Sequence, residues 1–205
     1  MYKLLLALGI LFLLTVAVWY FFFRGYTITN YPPKNDTIVA FGDSLVEGVG
    51  SDSGGFVSLL SKMLGKPVVN MGVSGNTTDD GYQRLEVVLK TNPGIVLVLL
   101  GGNDAIRKMP IDGTFSNLEK IITELQRDGI LVVLLGVRGN LLSDTYEKKY
   151  KELAERTGSA YVPNVLKGVF ARPDLMHDAI HPNDKGYAII ADRVYEVLEP
   201  LVFKK

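Results

Sequence analysis

Five short apolar runs alternate along this chain with stretches in which apolar residues recur at helical spacing. The apolar runs cover residues 37–41, 67–70, 95–100, 130–135 and 160–162. The stretches of helical periodicity cover residues 56–64, 79–90, 115–127, 143–157 and 184–198. Strands that are apolar at nearly every position are typical of a parallel sheet buried on both faces. The alternation predicts an α/β fold with a doubly wound, mainly parallel five-stranded sheet and helices on both faces.

The amino terminus differs in character from the rest of the chain. Residues 4–23 contain no charged side chain, and about 20 apolar residues at 1.5 Å each span a bilayer core of roughly 30 Å. The run is longer than the apolar part of a typical signal peptide and ends in bulky aromatic residues without a small-residue cleavage site. We therefore predict a transmembrane anchor, or an uncleaved signal, at residues 1–26, a linker at 27–35 and one domain at 36–205. A domain behind such an anchor is expected outside the cytoplasm, in the periplasm or at the cell surface.

Composition narrows the chemistry that this domain can perform. The 22 Lys and Arg residues balance the 22 Asp and Glu residues, and no basic stripe is present, so nucleic acid is not an expected partner. There are no cysteines, which excludes thiol nucleophiles, disulfides and thiolate metal sites. Only His177 and His181 can act as an imidazole base near neutral pH.

Ligands bind at the carboxyl ends of the strands in sheets of this kind. The first predicted strand runs into Gly42-Asp43-Ser44-Leu45, where Gly42 permits a tight turn and Ser44 begins the next helix. The Ser44 hydroxyl is a candidate nucleophile, and the Asp43 carboxylate is a candidate support that fixes hydrogen bonds in this loop. Both residues are also common helix caps, so the motif alone leaves the two interpretations open.

The loops after the second and third strands offer hydrogen-bond donors. Gly72 and Gly75 lie three residues apart, and glycines let backbone amides approach a ligand closely, so the Gly75 amide is a candidate donor to an oxyanion. Asn103, in Gly-Gly-Asn-Asp, adds a neutral side-chain donor. Both loops also have the composition of ordinary turns.

A late loop brings a carboxylate close to an imidazole. Asp178 and His181 are three residues apart, and Pro182 breaks any helix before it. Asp178 can therefore orient the His181 ring, as the third group of a catalytic triad does. His177 and His181 are spaced like a metal-binding pair, but no third ligand is evident, so we predict no metal and no cofactor and assign His177 no role.

These four segments together resemble the SGNH (GDSL-type) hydrolase family in order and spacing. The matching segments are GDSL at 42–45, the loop with Gly75, GGND at 101–104 and DAIHPN at 178–183. The resemblance covers about residues 36–205 and is closest to the bacterial thioesterase I/lysophospholipase/arylesterase group, whose members hydrolyse acyl esters and thioesters. Residues 136–140, GVRGN, do not match the substrate-facing loop of that group.

The resemblance implies a flavodoxin-like fold and a mechanism. Ser44 is the implied nucleophile, with His181 and Asp178 as the other members of a triad. The amides of Ser44 and Gly75 and the Asn103 side chain are the implied oxyanion donors.

We expect a serine hydrolase that cleaves carboxylic esters or thioesters of a small-molecule or lipid acyl substrate, in contact with a membrane through residues 4–23. A carbohydrate O-acetylesterase of the same fold and a non-catalytic flavodoxin-like binding module are the alternatives. An α/β-hydrolase is excluded because residues 72–76 lack the second glycine of the G-x-S-x-G elbow. A dinuclear metallophosphoesterase is disfavoured because two histidines supply too few ligands. The sequence does not determine the oligomeric state.

Overall fold

A parallel five-stranded sheet forms the centre of the computed structural model, which describes residues 26–138 and 145–203. The strands are β1 (Ile38–Gly42), β2 (Val68–Gly72), β3 (Ile95–Leu99), β4 (Leu131–Leu135) and β5 (Ala160–Val162). They pair in the order β2-β1-β3-β4-β5, and every pairing is parallel. The predicted fold class, a doubly wound α/β sheet, is confirmed.

Helices cover both faces of this sheet. They are α1 (Ser44–Glu47), α2 (Gly55–Leu64), α3 (Thr78–Gln83), α4 (Leu85–Leu89), α5 (Gly102–Ile106), α6 (Ile111–Arg127), α7 (Thr145–Thr157) and α8 (Asp184–Phe203). One group packs α2 against α8, and another packs α6 against α3 and α7. Every residue of β1, β3 and β4 is buried, as expected for strands with helices on both sides. Strand β2 is at the sheet edge, and there Val69 and Asn70 are exposed.

The register of the sheet brings three strand ends to the same level. Gly42, the last residue of β1, is opposite Gly72 at the end of β2 and Leu99 at the end of β3. The loops that follow these three strands therefore open on one edge of the sheet. Ser44 begins the helix that follows β1, Asn103 is in the first turn of the helix that follows β3, and Gly75 is in the loop after β2.

One predicted helix is divided in the structure. Residues 79–90 were expected to form a single helix, but α3 and α4 are separated at Arg84, whose φ of −105° and ψ of 12° are not helical. The physical reason is that the Arg84 guanidinium turns toward the sheet and donates to the carbonyls of Gly42 and Met71. These are long-range contacts that helical periodicity does not report.

The predicted membrane segment at residues 4–23 lies outside the described residues. Within 26–138 and 145–203, no helix is both long and apolar enough to cross a membrane. The anchor, the domain boundaries and the extracytoplasmic location therefore stay predictions.

Candidate active site

Ser44 begins α1 directly after the carboxyl end of β1. The turn requires a glycine at position 42, since a Cβ there would lie 2.3 Å from the Leu99 carbonyl oxygen. Asp43 caps the helix, because its Oδ1 accepts a hydrogen bond of 3.0 Å from the Leu45 amide. Since Asp43 provides the cap, the Ser44 hydroxyl is free of that role, and its side chain is only half-buried.

A continuous hydrogen-bonded path links Ser44 to the late loop. His181 Nε2 lies 3.0 Å from Ser44 Oγ, and His181 Nδ1 lies 2.8 Å from Asp178 Oδ2. The structure thus brings three side chains together, although Ser44 and His181 are 137 residues apart in sequence. The order hydroxyl, imidazole, carboxylate is that of a nucleophile, its base and the group that orients the base.

The loop around Asp178 fixes both oxygens of its carboxylate. Oδ1 accepts from the amides of Ile180 and His181 at 2.8 and 2.7 Å, while Oδ2 faces the His181 ring. The hydrogen bond from the ring, followed by those from the two amides, holds the pKa of Asp178 well below its usual range. Asp178 is therefore ionised at neutral pH, which favours the ring tautomer that carries its proton on Nδ1.

Asn103 lies in the first turn of α5, on the same edge of the sheet. Its Nδ2 donates to the Asn76 carbonyl at 3.0 Å and lies 3.4 Å from Asp43 Oδ2. Gly75 adopts a φ of +77°, and its carbonyl accepts a hydrogen bond of 2.8 Å from Arg107. Ser44, Asn103 and His181 line one common cavity, whereas Gly75 lies outside its lining.

This cavity has a volume of about 260 Å³. Its apolar lining is formed by Leu45, Ile106, Val137, Leu166, Phe170 and Ile180. Asn164, Arg138 and Lys167 add polar groups, and Asp43 is its one carboxylate among the described residues. Asn164 is 8% exposed, and its Oδ1 has no hydrogen-bond partner within the described residues. The cavity therefore places apolar surface next to the Ser44 hydroxyl.

Comparison of the sequence with models of known protein families identifies its relatives. The model of the GDSL-like Lipase/Acylhydrolase family matches residues 40–189. The chain belongs to this family. The matched range contains Ser44, Gly75, Asn103, Asp178 and His181.

Individual relatives of this GDSL-type esterase agree with the family assignment. Esterase TesA of Pseudomonas aeruginosa is 32% identical over 179 residues, which cover 81% of this chain and 89% of TesA. Thioesterase 1/protease 1/lysophospholipase L1 of Escherichia coli is 33% identical over 177 residues, covering 82% and 85% of the two chains. A crystal structure of TesA matches with a TM-score of 0.74 at 31% identity, over 80% of this chain and 99% of the other. The predicted family and the interpretation as a carboxylic ester hydrolase are confirmed.

Sequence reasoning did not identify most of the cavity lining of the esterase. Val137 and Arg138 follow β4, and Asn164, Leu166 and Lys167 follow β5. The rule that ligands bind at the carboxyl ends of parallel strands also indicates these two loops, although the predictions above applied it only to the loops after the first three strands. Their composition gives no further signal, because apolar side chains and single cations are common in any loop.

The buried carboxyl of Asp43 makes the stability of the esterase depend on pH. Burial raises the pKa of Asp43 to about 7, although the Leu45 amide and the charge of His181 oppose this. Between about pH 4 and pH 7 the folded protein holds a proton that the unfolded chain has released, so this site reduces stability as pH rises.

Replacing Asp43 with asparagine is expected to remove this pH dependence. Asparagine also caps helices but carries no charge, so the free energy of unfolding of Asp43→Asn, relative to the unchanged enzyme, is expected to increase from pH 4 to pH 8. Urea unfolding at several pH values measures this difference. If the difference in unfolding free energy between the two proteins stays constant from pH 4 to pH 8, the raised pKa of Asp43 is contradicted.

Proposed function

We propose that this esterase hydrolyses esters and thioesters of lipid-derived acyl chains through a covalent acyl intermediate on Ser44. The observation that supports the proposal is the hydrogen-bonded path from Ser44 Oγ through His181 to Asp178, which begins at the wall of an apolar cavity. A hydroxyl alone is a weak nucleophile, and an adjacent imidazole that accepts its proton makes it reactive.

The reaction proceeds in two halves. His181 Nε2 takes the proton of Ser44 as Oγ attacks the acyl carbonyl, and the ionised Asp178 stabilises the imidazolium that forms. His181 then gives this proton to the departing alcohol or thiol, which leaves the acyl group on Ser44. Water then attacks the acyl carbon as His181 removes its proton. The acyl–Oγ bond breaks, His181 returns the proton to Ser44 Oγ, and the carboxylic acid is released.

Three donors are proposed to bind the oxyanion of the tetrahedral intermediate: the amides of Ser44 and Gly75 and the Asn103 side chain. One N–H of Asn103 is engaged by the Asn76 carbonyl. The other faces Asp43 Oδ2 at 3.4 Å, a long contact that leaves this N–H available to a stronger acceptor. Donors fixed before the reaction contribute most because they need no reorganisation as charge develops.

The apolar lining of the cavity supports an acyl chain as its occupant. Leu166, Phe170 and Ile180 present aliphatic and aromatic surface beside Ser44 and His181. The relative in Escherichia coli is named a thioesterase and a lysophospholipase, and a lysophospholipid contains a fatty acyl ester. Arg138 and Lys167 provide cationic groups in the same lining.

Hydrolysis of p-nitrophenyl esters of graded chain length tests the substrate class. Each methylene that enters the cavity is expected to contribute up to about 0.8 kcal/mol, so kcat/KM should rise by up to about fourfold per added methylene from acetate to a medium-chain ester. Phe170→Ala should reduce kcat/KM for the medium-chain ester and leave that for acetate, the internal control, nearly unchanged. A preference for acetate in the unchanged enzyme would contradict the lipid-acyl proposal and favour a carbohydrate O-acetylesterase.

A further inference from the structure

Arg84 joins three segments of the chain behind the proposed oxyanion hole. Its Nε donates to Asn76 Oδ1 at 2.6 Å, its Nη1 to the Met71 carbonyl at 3.1 Å and its Nη2 to the Gly42 carbonyl at 2.8 Å. The guanidinium also lies over the Phe41 ring, 4.3 Å from its centroid. A planar fork with several donors makes such contacts together, and a lysine ammonium cannot reproduce them.

The acceptors of Arg84 belong to the segments that lead to the proposed donors. Gly42 is two residues before Ser44. Met71 is the second-last residue of β2, the strand that leads into the Gly75 loop. Asn76 directly follows Gly75. Arg84 therefore sets the spacing between the end of β1 and the loop after β2, although among the described residues it makes no hydrogen bond with Ser44, His181 or Asp178.

Asn76 extends this connection to the third donor. Its side-chain oxygen is held by Arg84, and its backbone carbonyl accepts the hydrogen bond from Asn103 Nδ2 at 3.0 Å. One residue is thus fixed by the guanidinium and in turn orients the Asn103 amide. Two further contacts hold the same loop: Arg107 donates to the Gly75 carbonyl, and the Ser74 amide donates to the Glu47 carboxylate.

We propose that Arg84, acting through Asn76, is a positioning residue that sets the Gly75 and Asn103 donors of the oxyanion hole. This inference depends on the proposed function, because it assigns those donors to the tetrahedral intermediate. Donors that are misplaced by a fraction of an ångström bind the substrate nearly as well but stabilise the intermediate less. The loss therefore falls on kcat and leaves KM nearly unchanged.

The test compares Arg84→Met, Arg84→Lys and Asn76→Ala in the full chain, with p-nitrophenyl esters as substrates. Arg84→Met and Asn76→Ala are expected to lower kcat by about 10- to 100-fold. Arg84→Lys keeps the positive charge but lacks the planar guanidinium with its several donors, so its kcat should be nearly as low as that of Arg84→Met. Arg156→Met is the matched control, since Arg156 pairs with Glu119 on the exposed surface, and its kcat should not change.

A double-mutant cycle with Asn103→Ala separates positioning from a general loss of structure. If Arg84 acts through the oxyanion donors, Arg84→Met should cost clearly less in kcat when Asn103 is already alanine. Equal losses in both backgrounds would overturn the proposal, as would a kcat within twofold of the unchanged enzyme in folded Arg84→Met and Asn76→Ala. Should Arg84→Met not fold, the same cycle with Asn76→Ala decides.

The outcome at Ser44 distinguishes the two levels of proposal. If Ser44→Ala is inactive while the Arg84 and Asn76 variants retain full kcat, only the positioning role fails. If Ser44→Ala stays active, the proposed function fails, and the positioning role of Arg84 fails as well.

Discussion

Replacing Ser44 with alanine is expected to lower kcat for ester hydrolysis on the order of a million-fold. Alanine has no oxygen to attack the acyl carbonyl and no proton for His181 Nε2 to accept. The fold should be unaffected, because Asp43 rather than Ser44 caps α1 and the Ser44 side chain is only half-buried. Steady-state kinetics give the loss in kcat, and circular dichroism verifies the fold.

Ser74→Ala provides the matched control for this variant. Ser74 is an exposed serine on the neighbouring loop, and its hydroxyl and amide both contact the Glu47 carboxylate. It is also the serine that an α/β-hydrolase elbow would have used. Its replacement should leave kcat within a few fold of the unchanged enzyme.

Labelling with a fluorophosphonate identifies the nucleophile independently of turnover. The label should appear on the peptide that contains Ser44 in the unchanged enzyme and in Ser74→Ala, and it should be absent from Ser44→Ala. Appearance of the label on Ser74, or more than about one per cent of the activity in folded Ser44→Ala, would be incompatible with a covalent mechanism at Ser44.

The sheet was predictable from the sequence because its strands differ strongly from the rest of the chain. Residues 95–99 and 131–135 are apolar throughout, and the structure buries every one of them. Such runs satisfy both faces of a parallel sheet at once, so local composition determines the element. The same reasoning failed at Arg84, where contacts with distant carbonyls outweigh the helical periodicity on either side.

The candidate site was predictable only as a set of residue types at strand ends. Position after a strand indicates which edge of the sheet a side chain reaches, but it does not give distances. That His181 meets Ser44 at 3.0 Å follows from how the loop after β5 and the start of α8 pack, which no local pattern contains. The cavity walls and the link from Arg84 to Asn103 through Asn76 arise in the same way, from contacts between distant segments.

The two histidines of the chain allow the base to be assigned by a matched pair of variants. His181→Gln is expected to lower kcat on the order of a million-fold, like the loss of the nucleophile. Glutamine can occupy a similar volume and donate a hydrogen bond, but it cannot accept and return a proton near neutral pH. His177→Gln should keep nearly full activity, because His177 is exposed and its backbone amide, not its ring, donates to the His181 carbonyl at 2.8 Å.

Comparison of these variants separates the chemistry of an imidazole from its effect on the loop. Both histidines are in the same turn, which an antiparallel bridge between Met176 and Pro182 closes, so a substitution that merely loosens the turn should affect both positions. Steady-state kinetics and thermal unfolding of the two variants therefore distinguish the roles. If His177→Gln loses as much kcat as His181→Gln, the loss comes from the loop. If only His181→Gln loses kcat while both variants unfold at similar temperatures, His181 is the base, since His177 is the only other imidazole in the chain.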